Sequence, residues 1–282
     1  METATTAQSP HMTTAIAWID GQWGTPKNLA LPLNDRGLQL ADGLFETVLL
    51  RKGTPVLLDK HLQRWQDGAE LLGLGTPPDH AQLQPLLSEA IKRSGTASVN
   101  AVLRLNWSRG SAERGIDPPA TTKERFWLTL VPSQPLFSAV KVVISRLEQR
   151  NASSRLSRCK SFAYGQSILA RREAQQRGAD EALLRNTAGR LCCGTVANLL
   201  VRRHGTWLTP PLESGCLPGV MRACCLASGL AQEDDLGEDL LRGDQALLIN
   251  SLSCRPIQSV DGVELSPIEE TTARQIWMNL LN

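Results

Sequence analysis

The sequence contains no apolar run that approaches the roughly 20 residues needed to span a bilayer, so a membrane-spanning protein is not expected. The segment from Met1 to Ala15 is rich in threonine, alanine and serine, and it lacks the basic start and apolar centre of a secretion signal. We therefore predict a cytoplasmic protein with no membrane partner, in which residues 1–14 form a disordered tail.

An excess of charge of either sign is also missing. The chain has 30 basic and 28 acidic residues, which gives a net charge of +2. This near balance argues against a nucleic-acid partner. Locally placed arginines can still bind small anions, so the expected partner is a small molecule.

The sequence has little that could hold a metal ion or form a disulfide framework. The seven cysteines are an odd number, no C-x-x-C is present, and the four histidines are scattered along the chain. We predict no metal site. Most of the cysteines, including the adjacent pairs Cys192–Cys193 and Cys224–Cys225, are expected to be reduced, small core residues.

The chain has 41% apolar residues, which is enough to form a core. The first half of the sequence shows a mixture of strand and helix patterns. Turn residues at Asp20-Gly21 and at Arg51-Lys52-Gly53-Thr54 predict two hairpins. Apolar spacing predicts strands over 15–20, 22–23, 47–50, 56–58, 99–107 and 126–131, and helices over 61–72 and 81–92.

The second half repeats this mixture after a break at Pro132-Ser133-Gln134-Pro135. Its predicted strands cover 140–145, 181–185, 198–202, 207–209 and 246–250, and its predicted helices cover 167–177 and 220–229. The fold class is therefore α/β (α+β), with an N-terminal domain over 15–131, a linker over 132–138 and a C-terminal domain over 139–282. A cleft between two domains is the default place for a site.

A series of short motifs carries a resemblance to a known family. In chain order they are Asn34-Asp35-Arg36-Gly37, His61-Leu62-Gln63-Arg64, Lys160-Ser161, Ala179-Asp180-Glu181-Ala182, Cys193-Gly194-Thr195, Thr209-Pro210-Pro211 and Leu217-Pro218-Gly219-Val220-Met221. From about Ala17 to about Ile257 the chain resembles the class-IV aminotransferases, the branched-chain and D-amino-acid type of pyridoxal-phosphate enzymes. The resemblance implies a two-domain fold-type-IV structure, similar to D-amino-acid aminotransferase, with pyridoxal 5'-phosphate in the cleft. It also implies a homodimer, which is the usual form in the family.

The resemblance also implies roles for particular residues. Lys160 would hold the cofactor as a Schiff base and, once released, move a proton from the substrate's α-carbon. Tyr164, the only tyrosine, would bring its hydroxyl near the cofactor. The phosphate would be bound by Arg64, Leu217, Gly219, Val220, Met221 and Ser251. Without the resemblance, Arg64 would be read as an exposed charge on an amphipathic helix and Tyr164 as a core aromatic.

One position departs from the family pattern. Where this chain has Cys193, the family has a glutamate that pairs with the pyridine nitrogen and keeps it protonated, which makes the ring a strong electron sink. A thiol, with an ordinary pKa of about 8.5, replaces that anion poorly. We expect an enzyme that works with a less protonated ring, and loss of activity is the alternative.

Two segments favour one branch of the family. Trp107-Ser108-Arg109-Gly110 through Arg114-Gly115, and Asn250-Ser251-Leu252 through Arg255-Pro256-Ile257, resemble the aminodeoxychorismate lyases. The substrate of those lyases is a dicarboxylate, which suits fork-shaped arginine donors. Arg109, Arg114 and Arg255 are therefore the candidate substrate-binding residues, although each could be a plain surface residue.

The predicted function is that of a pyridoxal-phosphate-dependent 4-amino-4-deoxychorismate lyase, which releases pyruvate and 4-aminobenzoate for folate biosynthesis. Imine formation and proton abstraction at Lys160 would be followed by β-elimination. Elimination removes the negative charge of the carbanion at once. A neutral partner of the ring nitrogen, such as Cys193, therefore hinders elimination less than it hinders transamination. Two alternatives stay open: an aminotransferase of D-amino acids or branched-chain amino acids, and a non-catalytic binder of the cofactor or of a metabolite.

Overall fold

The computed structural model describes residues 13–119, 121 and 123–281, so the predicted tail over 1–14 lies almost wholly outside the described residues. The helices are α1 (Arg36–Leu40), α2 (Leu58–Leu72), α3 (His80–Ser94), α4 (Gly165–Gln176), α5 (Val220–Ala227) and α6 (Glu270–Asn279). The strands of the N-terminal half are β1 (Ile16–Ile19), β2 (Gln22–Gly24), β3 (Gly43–Arg51), β4 (Thr54–Pro55), β5 (Ala101–Ser108) and β6 (Arg125–Pro132). Those of the C-terminal half are β7 (Val140–Arg150), β8 (Glu181–Asn186), β9 (Leu191–Gly194), β10 (Asn198–Arg203), β11 (Thr206–Thr209), β12 (Ala231–Glu233), β13 (Gln245–Asn250), β14 (Ser253–Val260) and β15 (Val263–Glu264).

The N-terminal half is an antiparallel sheet with the strand order β2-β1-β6-β5-β3-β4. Helices α2 and α3 pack on it through a core that includes Trp65, Leu83 and Leu87. Asp79 starts α3 with a reciprocal capping box to Gln82, which satisfies the first free N–H groups of the helix.

The C-terminal half is a larger mixed sheet with the order β12-β11-β10-β13-β14-β7-β8-β9. Because β9 pairs with β10 as well as with β8, six of these strands close into a ring. Alternate residues pack on opposite faces: Val142, Leu199 and Leu248 fill the interior, whereas Leu200 and Leu247 pack outwards among residues of α5 and α6.

The structure confirms the mixed α/β fold that the patterns predict. The first predicted hairpin is β1–β2, and the predicted helices correspond to α2, α3, α4 and α5. The strand predicted over 56–58 is wrong, since Leu57 takes a left-handed conformation (φ 53°) that turns the chain into α2. The patterns also missed α1, α6, β4, β9, β12, β14 and β15.

Residues 133–139 connect the two sheets. The domain boundaries, with the linker at 132–138, stay a prediction. Every helix among the described residues is too short or too polar to cross a membrane.

Candidate active site

The segment around Lys160 is held against the edge of the first sheet by main-chain hydrogen bonds. The N–H of Phe45 donates to the Lys160 carbonyl at 3.0 Å, and the N–H of Phe162 donates to the Gly43 carbonyl at 3.0 Å. A side chain at Gly43 would collide with the Phe162 ring, so this close approach requires glycine. These bonds fix Lys160 between the two sheets, where residues from both halves of the chain meet.

A cavity of about 690 Å³ opens in front of Lys160. All nine residues predicted for catalysis and cofactor binding line it: Arg64, Lys160, Tyr164, Cys193, Leu217, Gly219, Val220, Met221 and Ser251. The structure therefore brings the predicted set together from both halves of the chain, while the role of each residue stays a prediction.

The amine of Lys160 has polar and aromatic neighbours but no acidic one. Its Nζ donates to the Tyr164 hydroxyl at 3.1 Å and lies 4.4 Å from the centre of the Phe45 ring. Within the described part of the chain no carboxylate forms an ion pair with it. An amine placed in this way can react with a carbonyl compound without first leaving a salt bridge.

Arg64 is oriented by a fully buried carboxylate, that of Glu46. The guanidinium donates through Nε and Nη2 to Glu46 at 2.8 and 2.6 Å, and through Nη1 to the Pro218 carbonyl at 3.2 Å. Burial opposes ionisation of Glu46, but Arg64 and His61 outweigh it and lower its pKa to about 2. His61 in turn contacts Ser251, with 3.2 Å between Nε2 and Oγ.

Gly219 precedes the first turn of α5 and lets the chain pass close to Asn198. A side chain at position 219 would collide with the Asn198 Oδ1, while the amide of Asn198 donates to the Leu217 carbonyl at 2.9 Å. The first N–H groups of a helix have no partners within it, and they form a positive end. The loop therefore presents main-chain donors to the cavity beside Arg64.

Cys193 lies on β9 and is buried at the cavity wall, with Arg150 lining the same cavity. The Cys192 thiol lowers the pKa of Cys193, burial opposes this, and the Arg150 guanidinium adds to the lowering. Arg150 is fixed by donating to the carbonyls of Gly215 at 3.1 Å and Ser157 at 2.8 Å. The thiol is thus more acidic than a free cysteine.

The three arginines predicted to bind substrate do not line this cavity. Arg109 is buried and donates to Asp42 and to the carbonyls of Leu72 and Gly73. These partners favour a structural role, and its role in substrate binding stays a prediction. Arg255, on β14, donates to the main-chain and side-chain oxygens of Ser138. Arg114 is exposed and lies at a second cavity of about 600 Å³.

Arg104 lines the cavity instead, and sequence reasoning missed it. It projects from β5, its Nε donates to Asn106 at 2.8 Å, and its guanidinium lies 3.6 Å from the centre of the Phe45 ring. Burial lowers its pKa, with no acidic ion-pair partner in the described residues. A charged residue within the apolar run Ala101–Ser108 was the available signal.

The expected cofactor combines a phosphate, a carbonyl group and a flat ring, and the cavity has a matching set of groups. Arg64, Ser251 and the loop at Gly219 can hold the phosphate, and Lys160 can bond to the carbonyl carbon. No acidic side chain lines the cavity within the described residues, whereas Arg64, Arg104, Arg150 and Lys160 do. The positive charge of the cavity suits the binding of an anionic cofactor together with an anionic substrate.

Comparisons with known proteins agree with this geometry. An aminodeoxychorismate lyase of Bacillus subtilis strain 168 is 28% identical over 274 residues, which are 93% of this chain and 92% of that protein. A putative branched-chain-amino-acid aminotransferase of Methanocaldococcus jannaschii is 26% identical over 259 residues, 87% of this chain and 88% of that protein. The branched-chain amino acid aminotransferase structure of Escherichia coli superimposes with a TM-score of 0.83 at 20% identity, covering 95% of this chain and 94% of that one.

The family model for amino-transferase class IV matches residues 43–260, which include every residue that lines the cavity around Lys160. The fold, the lysine between the sheets and the predicted phosphate-binding groups all agree with that match. The chain therefore belongs to the class-IV aminotransferase family and is a pyridoxal-phosphate-dependent enzyme.

Proposed function

We propose that the protein is a 4-amino-4-deoxychorismate lyase, which converts its substrate to 4-aminobenzoate and pyruvate. The observation that carries the proposal is the charge of the cavity: within the described residues its ionised side chains are cationic, and Cys193 takes the position of the usual glutamate. The substrate of such a lyase is an amine with two carboxylates. Arg104 and Arg150, which have no acidic partners among the described residues, are available for them.

Each residue then has a task in the reaction. The cofactor supplies a carbonyl carbon that bonds to the substrate amine and a ring that accepts electron density. Lys160 Nζ takes the proton from the carbon that bears the amine. The bond from the neighbouring carbon to the enolpyruvyl oxygen breaks, the departing group becomes pyruvate on gaining a proton, and the six-membered ring becomes aromatic.

The nearby Tyr164 hydroxyl, 3.1 Å from Lys160 Nζ, orients the amine for this proton transfer. Loss of the leaving group removes charge from the reacting carbon immediately. The reaction therefore needs less charge storage in the cofactor ring than transamination does, which suits a ring nitrogen that faces a thiol.

Two further expectations belong to this proposal. The working form is a homodimer, which the exposed apolar side chains of Leu38, Leu147, Ile168 and Leu169 support. Arg114 lies outside this chain's own cavity, so any contact it makes with substrate requires the cavity of a second copy.

An amino-acid aminotransferase of the same family is the second candidate. The relative from Methanocaldococcus jannaschii, named a putative branched-chain-amino-acid aminotransferase, favours it, since its identity of 26% is close to that of the lyase relative. A binder without catalysis is the third candidate. The amine of Lys160, which contacts the Tyr164 hydroxyl and has no acidic ion-pair partner among the described residues, argues against it.

A parallel assay separates these candidates. The holoenzyme is given aminodeoxychorismate, and separately D- and L-amino acids with a keto acid, and the formation of 4-aminobenzoate, pyruvate and new keto acid is measured. The lyase proposal expects 4-aminobenzoate and pyruvate in equal amounts, both lost in Lys160→Ala and kept in the exposed control Arg202→Gln. Keto acid formed from amino acids with no 4-aminobenzoate would reject it.

A further inference from the structure

His61 is almost completely buried, at 1% exposure, and both of its ring nitrogens have partners. Nδ1 lies 2.7 Å from Glu46 Oε2, and Nε2 lies 3.2 Å from Ser251 Oγ. With its pKa lowered to about 2, Glu46 is a carboxylate and can only accept hydrogen bonds. The proton of a neutral His61 therefore lies on Nδ1, and its Nε2 can only accept.

This tautomer fixes the direction of the Ser251 hydroxyl. A serine has a single O–H hydrogen, and with a neutral His61 that hydrogen points to Nε2. The oxygen of Ser251 then presents only lone pairs to the cavity that it lines. Lone pairs repel a phosphate dianion, so in this state Ser251 cannot serve as a phosphate donor.

Charges on every side of His61 decide its ionisation. Burial lowers the pKa of His61, and Arg64 on α2 and Lys160 beside β3 act in the same direction, whereas Glu46 on β3 opposes them. Arg64 is already balanced by the carboxylate of Glu46, with two donors committed to it. Before a phosphate binds, the group of Glu46, Arg64 and neutral His61 thus has no net charge.

We propose that binding of the cofactor's phosphate is coupled to the uptake of one proton by His61 Nε2. The resulting imidazolium donates to Ser251 Oγ, and the Ser251 hydroxyl becomes free to donate to the phosphate. The proton comes from solvent, and the net charge of the three-residue group changes from zero to +1 as the dianion arrives. His61 is thereby a positioning residue, which acts on the cofactor through Ser251.

The inference rests on the phosphate lying beside Arg64 and Ser251. It also has a definite pH dependence: the pKa of His61 is higher in the complex than in the free protein. Affinity for the phosphate dianion is therefore greatest below the pKa of His61 in the free protein, and it falls by about tenfold per pH unit between the two pKa values. Loss of the proton, as pH rises, removes both the positive charge and the serine donor.

Calorimetry with pyridoxine 5'-phosphate tests the proposal, because this probe has the phosphate but no carbonyl group to react with Lys160. At about pH 8 the phosphate is mostly a dianion, since its second pKa is about 6. Titrations in two buffers that differ in protonation enthalpy give the number of protons taken up. We expect close to one proton for the wild type and for the exposed control His80→Gln, and none for His61→Gln, whose affinity should be about tenfold lower or worse.

Nitrogen NMR of labelled histidine gives an independent readout, since the chain has only four histidines. The signal that disappears in His61→Gln should change from the neutral Nδ1–H form to imidazolium when the probe binds. Binding without proton uptake, or equal uptake in His61→Gln, would overturn this inference and leave the lyase proposal untouched. Failure of the probe to bind would overturn the phosphate placement as well.

Discussion

At the scale of single residues, Cys193 is the cavity residue that we expect to control how much negative charge the cofactor ring can store. It occupies the position where the family has a glutamate, and no other acidic side chain lines the cavity in the described residues. The Cys192 thiol and Arg150 make it more acidic than a free cysteine, against the effect of burial. We therefore expect the ring nitrogen of the cofactor to face a thiol and not a carboxylate, and we expect elimination to be favoured over transamination.

Replacing this thiol tests the assignment directly. Cys193→Glu would put a carboxylate beside the ring nitrogen and raise the pKa of that nitrogen. Transamination of amino acids, measured as a ratio to the lyase rate, should then rise, whereas the neutral control Cys193→Gln should not raise it. A ratio that stays constant in a variant that still holds cofactor would mean that Cys193 does not face the nitrogen.

Arg104 is the residue that we expect to recognise a substrate carboxylate. Arg104→Gln should raise the Michaelis constant for aminodeoxychorismate by about tenfold or more, because a buried charge-assisted pair is lost. The cofactor's absorbance and affinity should be unchanged, as in the exposed control Arg202→Gln. Steady-state kinetics and cofactor titration of the two variants check this. An unaltered Michaelis constant, or loss of cofactor, would contradict the role.

Sequence could predict which residues line the cavity around Lys160 but not the partners of the arginines. Lys160, Arg64 and Cys193 belong to short motifs whose order along the chain is visible. Whether Arg109 faces a substrate or a carboxylate of its own protein depends on Asp42, which is 67 positions away. The packing of β5 against the turn after α1 brings Arg109 and Asp42 together. A local sequence pattern contains no information about this packing.

Arg109 should therefore matter for stability. Arg109→Leu leaves Asp42 with Arg36 as its remaining partner, and the free energy of unfolding should fall by about 3 kcal/mol, as when one member of a buried ion pair is removed. Urea denaturation measures this. The exposed Arg114→Leu is the matched control, with an expected change within about 0.5 kcal/mol. A stable Arg109→Leu protein with a raised Michaelis constant would favour the substrate-binding role instead.

At the scale of elements, the local patterns predicted most strands and helices because their apolar spacing is regular. β9 was missed, since Leu191-Cys192-Cys193-Gly194 has neither alternation nor β-branched residues. Its strand conformation comes from pairing with β8 and β10. Similarly, the conformation of Leu57 that ends the second hairpin is set by the entry into α2. In both places tertiary contacts decide the structure.

The loop before α5 offers a test at this scale. Gly219→Ala would drive a methyl group into Asn198 Oδ1 and push the loop away from Arg64. The affinity for pyridoxal phosphate, followed by absorbance titration, should fall by about tenfold or more. Gly243→Ala is the control, since a methyl group there meets open space. Equal affinities in the two variants would show that the loop does not hold the phosphate.

At the scale of the whole molecule, the site exists because two sheets meet at one segment. Residues 160–162 pair with β3 of the first sheet, and the ring of strands in the second half supplies Cys193, the loop before α5 and Ser251. Neither half contains the full set of predicted cofactor-binding groups. The composition and the motif order indicated a cleft of this kind, but the closure of the ring through β9 and β10 could not be inferred from them.

The central claim, a lyase centred on Lys160, is tested most directly by counting turnovers without a keto acid. The holoenzyme is mixed with a large excess of aminodeoxychorismate, and 4-aminobenzoate is measured per active site. A lyase regenerates its cofactor in each cycle, so we predict many equivalents of 4-aminobenzoate, an equal amount of pyruvate and an unchanged cofactor spectrum. An aminotransferase would stop after a single turnover with its cofactor converted to the amine form, and that result would contradict the account.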